Sequence, residues 1–446
     1  MDFLLTPPLG ALLARPWVDR FGLFCLRRWY FPLSRLWAAA NAAGDDVAHF
    51  RAGIGAPLPA FWPAWYLRLL LRLNRRARAL SQTARQRWEA AIFAGDAEDP
   101  ARLDRRRRWT ATLHLSTRAL FYPLLFGFRP PVARWTIPAP AAVEVDLADL
   151  GATPLDTATV EMSKPSERAG LRHYWLRTPT PAARLRKWPG SETLYARVVE
   201  PADAPATATL ILGSGLCLET DLQVFARDAG RRLAPLGWRL VEPVSPFHGL
   251  RSAPDLYGGE AFLASAPAAT ADLILGQTIE SALLIAWCRE RFGGPVALGG
   301  ISMTSFVAQL AASHCHLWPA PARPDGVLLI SHSGRIEDVT FGGELTAALG
   351  LEEPLNKAGW SRAYLSRLSV HLDPSETPAL PAERIVSVLG ETDGWLPYKD
   401  GLEVVRRWKL PAANAFAYPL GHLGMPVQLA RDLAPYERLR QVLQRP

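Results

Sequence analysis

Apolar positions along the chain follow two different rhythms. From Leu12 to about Phe126 they recur at three- and four-residue spacing and are punctuated by Pro16, Pro32, Pro57, Pro59 and Pro63. That pattern predicts helices that stop or kink at the prolines. The cleanest stretch runs from Trp65 to Phe93. It sets Leu69, Leu73, Ala77 and Leu80 on one stripe, expected to face a core, with Arg68, Arg72, Arg75, Arg76 and Arg78 flanking it. The run Arg105 to Arg108 is followed by Trp109 and a second apolar helix. Thr110 to Phe128 comes nearest to a membrane span, but it contains His114, Arg118 and Pro123 and reads as a buried or interfacial helix.

Residues 129–190 are rich in Pro, Ala and Thr, with Pro130, Pro131, Pro138 and Pro140 at their start. Short alternating runs, Val143 to Leu147 and Leu171 to Leu176, predict strands there. From about Ser191 the rhythm changes again. Leu194–Val199, Thr207–Leu212, Trp238–Pro243, Pro295–Leu298, Gly326–Ser331, Arg384–Leu389 and Asn414–Tyr418 read as short strands. Helical stretches lie between them, at about Asp221–Leu236, Thr270–Phe292 and after Ser302 to about Ser313. Short apolar strands separated by such helices imply a mainly parallel sheet covered on both faces, an α/β fold. Three segments follow: 1–138, a helical extension; 139–190, a linker with the first strands; and 191–446, the α/β domain.

Composition sharpens this division. Hydrophobic residues make up 49% of the chain and charged residues 21%, which suits a large buried core and not wholesale disorder. Residues 1–138 hold 21 arginines and no lysine against 9 acidic residues, a balance of +12; the chain as a whole carries +8, so the rest is acidic by 4. Eight of the 16 tryptophans also fall in this segment. Two readings compete for it. One is a bundle packed on the α/β domain with arginines on its solvated face, the commoner use of such charge. The other is a face that rests on an anionic membrane, a peripheral contact through residues 1–138. No helix-turn-helix, zinc-finger or RNA-binding signature accompanies the charge, so no nucleic-acid partner is expected.

Cys25, Cys217, Cys288 and Cys315 are scattered, with no CxxC pair and no metal-ligand spacing, which fits a reduced compartment. Met1 to Leu13 lacks a basic leader before its apolar run and does not read as a signal peptide. The expected location is therefore cytoplasmic, including the inner membrane surface.

The chemistry concentrates after the strand at Pro295. Gly300-Ile-Ser302-Met-Thr304 joins that strand to a helix, the context of a nucleophile elbow. Small residues two before and two after the serine allow the tight turn; Thr304 stands where glycine is usual. The competing reading is a serine N-cap on an ordinary strand-to-helix turn. A nucleophilic serine needs a base, and the base needs an orienting acid. His422 follows the last short strand between Gly421 and Gly424 and is preferred to His371, which has no strand before it. Asp393 lies just past the strand Arg384–Leu389, where catalytic groups collect in open α/β sheets; Glu391 is the alternative, and Asp400 is assigned to the next helix. For an oxyanion, Met303 supplies one backbone N–H, and Gly215 or Leu216, in the Gly213-Ser-Gly-Leu loop, the second. Phe247, His248 and Arg251, in the loop after the next strand, are expected at the pocket wall, with Arg251 more readily an anchor than a ligand for an anionic substrate group.

The succession of Gly-Ser-Gly-Leu, Pro-Phe-His-Gly-Leu-Arg, Gly-Gly-Ile-Ser-Met, Gly-Glu-Thr-Asp and Gly-His-Leu resembles the α/β-hydrolase superfamily over roughly residues 190–440. Within it, the Pro-aromatic-x-Gly-x-Arg loop before a Gly-x-Ser-Met elbow resembles the branch described as α/β-hydrolase domain-containing protein 18. The resemblance implies an α/β-hydrolase fold and ester hydrolysis through an acyl-enzyme on Ser302, with a small-molecule or lipid ester such as a phospholipid as substrate. No metal or organic cofactor is expected. Acyl transfer by the same residues, or a silent binding protein on this fold, are the rival functions.

Overall fold

The computed structural model describes residues 17–95, 99–217 and 229–444. Ten strands form one sheet: β1 (Glu161–Met162), β2 (Ser166–Arg168), β3 (Leu171–Pro179), β4 (Thr193–Pro201), β5 (Ala208–Gly213), β6 (Trp238–Pro243), β7 (Val296–Ile301), β8 (Gly326–Ile330), β9 (Ile385–Gly390) and β10 (Ala415–Tyr418). Their order is β1-β3-β4-β6-β5-β7-β8-β9-β10, with β2 also on β3. Strands β6 through β10 run parallel, and β3 and β4 continue the sheet antiparallel. This is the α/β-hydrolase architecture expected from the sequence, with a helical N-terminal segment added.

The short apolar runs are strands because both faces of the central sheet are covered. Along β5, Ile211 points to one side, Leu210 and Leu212 to the other, the period of two that a pleated strand imposes. The Ile211 side packs with Val241, Leu298 and Leu329 against two helices, Ala268–Phe292 and Met303–His314. The opposite side packs with Leu328 and Ile330 against the C-terminal helix Ala434–Leu443. The helix Ala268–Phe292 is long and apolar enough to cross a membrane, yet its most apolar stretch is 94% buried inside the protein. Two of its three carboxylates have interior partners: Asp272 takes Arg184 at 2.9 Å, and Glu280 takes Arg251 at 2.7 Å.

In the N-terminal segment, α1 spans Trp17–Cys25, α2 Phe31–Ala43, α3 Val47–Gly53, α4 Ala64–Ala94 and α5 Pro100–Ser116. Helix α4 starts after Pro63 and ends at Gly95, whose φ of 94° is the left-handed stop that glycine favours. Asp99 caps α5 by accepting from Ala101 N–H at 2.9 Å. The segment is docked on the sheet. Trp88 of α4 meets Trp175 of β3 edge-on, with centroids 5.2 Å apart, and Arg107 of α5 lies over Trp88 at 4.2 Å. Arg35 of α2 forms a buried ion pair with Glu260, which also accepts Arg134 N–H at 2.9 Å.

Three expectations change. The stripe Leu69, Leu73 and Leu80 faces outward, and only Ala77 of that set is buried. The inward face is Leu67, Leu70, Leu71, Asn74 and Ala77, which has helical spacing too. Asn74 disguised it: its amide is satisfied inside, donating to Asn41 at 2.9 Å and accepting from Thr117 at 2.7 Å. Val143 to Leu147 is not a strand; Val143 and Val145 pack against short helices around Leu355 and Leu365, and the outer edge of β3 is taken by β1 and β2. The apolar run after Thr110 does not stay α-helical; Thr117–Leu125, with Pro123 inside it, is a 3-10 helix. Of the helix expected over Asp221–Leu236, residues 221–228 lie outside the described residues, and Ala229–Leu233 is helical.

Candidate catalytic centre

Strand β7 delivers Ser302 to the C-terminal edge of the sheet, where the helix Met303–His314 begins. Ser302 adopts φ 55° and ψ −115°, a strained conformation for a residue with a side chain. The strain is held by hydrogen bonds: Ser302 N–H donates to Ile330 on β8 at 2.9 Å, and Ser305 N–H donates to Ser302 carbonyl at 2.9 Å. A Cβ on Gly300 would collide with the Thr304 backbone, so glycine two before the serine is a steric requirement.

Thr304 fits because its neighbour strand makes room. Its hydroxyl accepts from Ile301 N–H at 3.0 Å and donates to Ile301 carbonyl at 3.2 Å, bracing the turn. Its side chain occupies the space beside Gly213, where an added Cβ would come within 2.7 Å of it. The missing glycine of the elbow has in effect been moved across to β5.

The histidine and acid arrive on separate loops. His422 Nε2 lies 2.9 Å from Ser302 Oγ, and Nδ1 lies 2.7 Å from Asp393 Oδ2. With Nδ1–H donating to the carboxylate, Nε2 is left to accept the serine proton. The other oxygen of Asp393 accepts from Trp395 N–H at 3.0 Å and Leu396 N–H at 3.1 Å, which fixes the carboxylate. The Trp395 ring stacks on the imidazole, centroids 4.9 Å apart and planes 17° apart. Burial alone would lower the His422 pKa. The Asp393 carboxylate beside it, its hydrogen bond, and the charge of Asp19 outweigh burial and raise the pKa above its ordinary value. Glu391 and His371 are exposed, and Asp400 is on the following helix.

Register brings the oxyanion candidates alongside. Gly213 on β5 pairs with Gly300 on β7, so the loop after β5 leaves the sheet beside the elbow. Met303 opens a helix, and the N–H groups of a first helical turn have no partner inside the helix. Leu216 packs in the same apolar cluster as Met303. In that loop Cys217 N–H is already committed to His248 Nε2 at 3.0 Å, which leaves Gly215 and Leu216 as the donors to consider.

Phe247, His248 and Arg251 stand behind this loop and do not line an open pocket. All three are buried. Phe247 packs edge-on against Trp188, with ring centroids 5.1 Å apart. His248 accepts from Cys217 through Nε2, while its Nδ1–H donates to Pro246 carbonyl at 2.8 Å; burial pushes its pKa down to about 4, so the ring is a neutral strut. Arg251 donates to Val244 carbonyl at 3.0 Å, Ser191 carbonyl at 2.9 Å and Glu280, a wholly interior set that makes it a loop anchor.

One residue has no warning in the sequence. Asp19, on α1, accepts from the backbone N–H of His422 and, at 2.8 Å, of Leu423. The contact is so close that a Cβ on Gly421 would strike the carboxylate. A single acid 403 residues from its partner leaves no spacing to read. Leu23 and Leu26 from the N-terminal segment, with Leu216, Phe262, Leu345 and Leu423, pack against the apolar cluster that contains Met303, the residue after the serine. Ser302 and His422 are each only 9% exposed. Among the described residues no three His, Cys, Asp or Glu side chains converge as a metal-ligating group.

The sequence matches no protein-family model and no curated protein. Among solved structures, the chain is similar to the PEG-bound complex of a novel cold-adapted esterase from an Arctic intertidal metagenomic library, at 17% identity, 63% of this chain, 98% of that one and a TM-score of 0.38. It is similar to acetyl xylan esterase 1 from Thermoanaerobacterium sp. JW/SL YS485 at 13% identity, 67% of this chain, 99% of that one and a TM-score of 0.42. A third likeness is to brefeldin A esterase, described as a bacterial homologue of human hormone sensitive lipase, at 16% identity, 66% and 82% coverage and a TM-score of 0.36.

Proposed function

We propose that the protein is a serine hydrolase of carboxylic esters with an apolar acyl group. The reading rests on one observation: the unbroken chain from Ser302 Oγ through His422 to Asp393, at 2.9 and 2.7 Å. Ser302 Oγ attacks the ester carbonyl carbon while His422 Nε2 takes the hydroxyl proton. The carbonyl oxygen becomes an oxyanion, within the reach of Met303 N–H and an N–H from Gly215 or Leu216. The C–O bond to the alcohol then breaks, and the leaving oxygen takes the proton from His422. Water, deprotonated by the same nitrogen, attacks the acyl-enzyme; the acyl–Oγ bond breaks, Ser302 Oγ takes the proton back from His422, and the acid is released. Asp393 holds the imidazole in the required tautomer and offsets its positive charge. The apolar cluster at Met303, next to Ser302, which Leu23, Leu26, Leu216, Phe262, Leu345 and Leu423 join, favours an acyl chain over a polar acyl group.

The test is labelling by a fluorophosphonate, which reacts only with an activated serine. Wild type should label and Ser302→Ala should not. An unlabelled, folded wild type would overturn the reading. A panel of esters graded by acyl length, with phospholipid acyl esters included because of the branch-level resemblance, then reports the substrate class.

A further inference from the structure

We propose that helices α4 and α5 form a docking face for an anionic lipid surface. On α4, Trp65 is 67% exposed, Leu69 48% and Leu80 53%, with Leu73 exposed beside them. At 3.6 residues per turn these four, together with Arg72, Arg76 and Arg87, fall within roughly 100° of arc. Helix α5 repeats the arrangement: Trp109, 65% exposed, and Leu113 share a sector of about 100° with Arg102, Arg105 and Arg106. The two helices pack against each other.

This is not the solvated face of an ordinary amphipathic helix. Each helix already buries its own inward stripe, Leu67, Leu70 and Leu71 on α4 and Leu103 on α5. The outward tryptophans and leucines are therefore a second apolar stripe, with nothing covering it among the described residues. Charge decides the kind of partner. The two helices carry twelve arginines against Glu89 and Asp104. Both acids are already engaged, Asp104 by Arg107 and Arg108, Glu89 by Arg177. Arginine and tryptophan alternating on one face match the boundary between lipid headgroups and acyl chains, where guanidinium meets phosphate and indole meets both. A nucleic acid would use the arginines but leave Leu69, Leu73 and Leu80 in water. The inference stands independently of the serine chemistry.

The experiment is co-sedimentation of the full chain with phosphatidylcholine vesicles, with and without phosphatidylglycerol. Two variants are compared with wild type: Arg72→Gln/Arg76→Gln/Arg87→Gln and Leu69→Ser/Leu73→Ser/Leu80→Ser. Thermal melting confirms that each is folded, and Trp109→Ser is the single-site check if a triple variant melts early. Wild type should bind the phosphatidylglycerol vesicles and lose binding in high salt. The arginine variant should bind roughly a hundredfold more weakly, at about fivefold per surface arginine. The leucine variant should also be weakened, and Trp109→Ser several-fold. Failure of wild type to bind, or equal binding to neutral vesicles, would sink the proposal. So would duplex DNA binding that needs the arginines and not the leucines. A solution dimer that the leucine variant splits would mean that a second copy, and not lipid, covers the face.

Discussion

Asp19 ties the N-terminal segment to the candidate catalytic histidine, and its effect is electrostatic as well as mechanical. It accepts two backbone N–H groups from the His422 loop, and its charge helps to raise the His422 pKa. With His422 as the proposed base, its active form is neutral, so ester hydrolysis should rise with pH through the pKa of the free enzyme. Asp19→Asn removes the charge and one of the two acceptors. The His422 pKa should fall, and the acid limb of kcat/KM should move to lower pH, with stability lower by about 1.5–3 kcal/mol for the lost charge-assisted hydrogen bond. The measurement is the pH profile of hydrolysis of a small soluble ester. A lower melting temperature with an unmoved acid limb would reduce Asp19 to a structural role. The hydrogen-bonded grouping of Ser302, His422 and Asp393 was legible because the proposed chemistry needs three residue types in a fixed chain order after strand ends. Asp19 was not, because its function is carried by proximity to a backbone and by no motif of its own.

The elements divide in the same way. Strands β5, β7, β8 and β9 announced themselves because strands covered on both faces are continuous apolar runs, bounded here by small residues and turns. The inward face of α4 did not, because two stripes share helical spacing and a satisfied asparagine sits in the buried one. The elbow shows the limit of a single-segment motif: the compensation for Thr304 is Gly213 on the adjacent strand. That pairing is testable as a cycle. Gly213→Ala would set a Cβ 2.7 Å from the Thr304 side chain and should cost about 1–3 kcal/mol by overpacking, with slower fluorophosphonate labelling. Adding Thr304→Gly should restore much of the labelling, since the clash partner is gone. A double variant as slow as Gly213→Ala alone would show that the two positions act independently.

At the scale of the whole molecule, the histidines placed inside the fold set how it responds to acid. His248 and His332 are fully buried, and burial holds their pKa values at about 4 and about 3. Their ordinary value is near 6.5, so below it the unfolded chain takes up protons that the folded chain refuses. Their contribution to stability is complete above that value and is lost as the pH falls toward the folded pKa values. His422, with its pKa raised, changes protonation above this window; Asp373, pushed up to about 6 by burial, works in the opposite direction within it. The residues were visible in the sequence but their burial was not: a lone histidine carries no period, and His248 read as a pocket wall until the loop behind it was in place. His332 can be isolated by difference. Its Nε2 meets Ser387 Oγ at 2.8 Å, an interaction that glutamine can keep. In urea unfolding at successive pH values, wild type should lose about 1.4 kcal/mol more per pH unit between roughly pH 6 and 4 than His332→Gln, one proton's worth. Parallel stability curves for the two proteins would mean that His332 titrates normally in the fold.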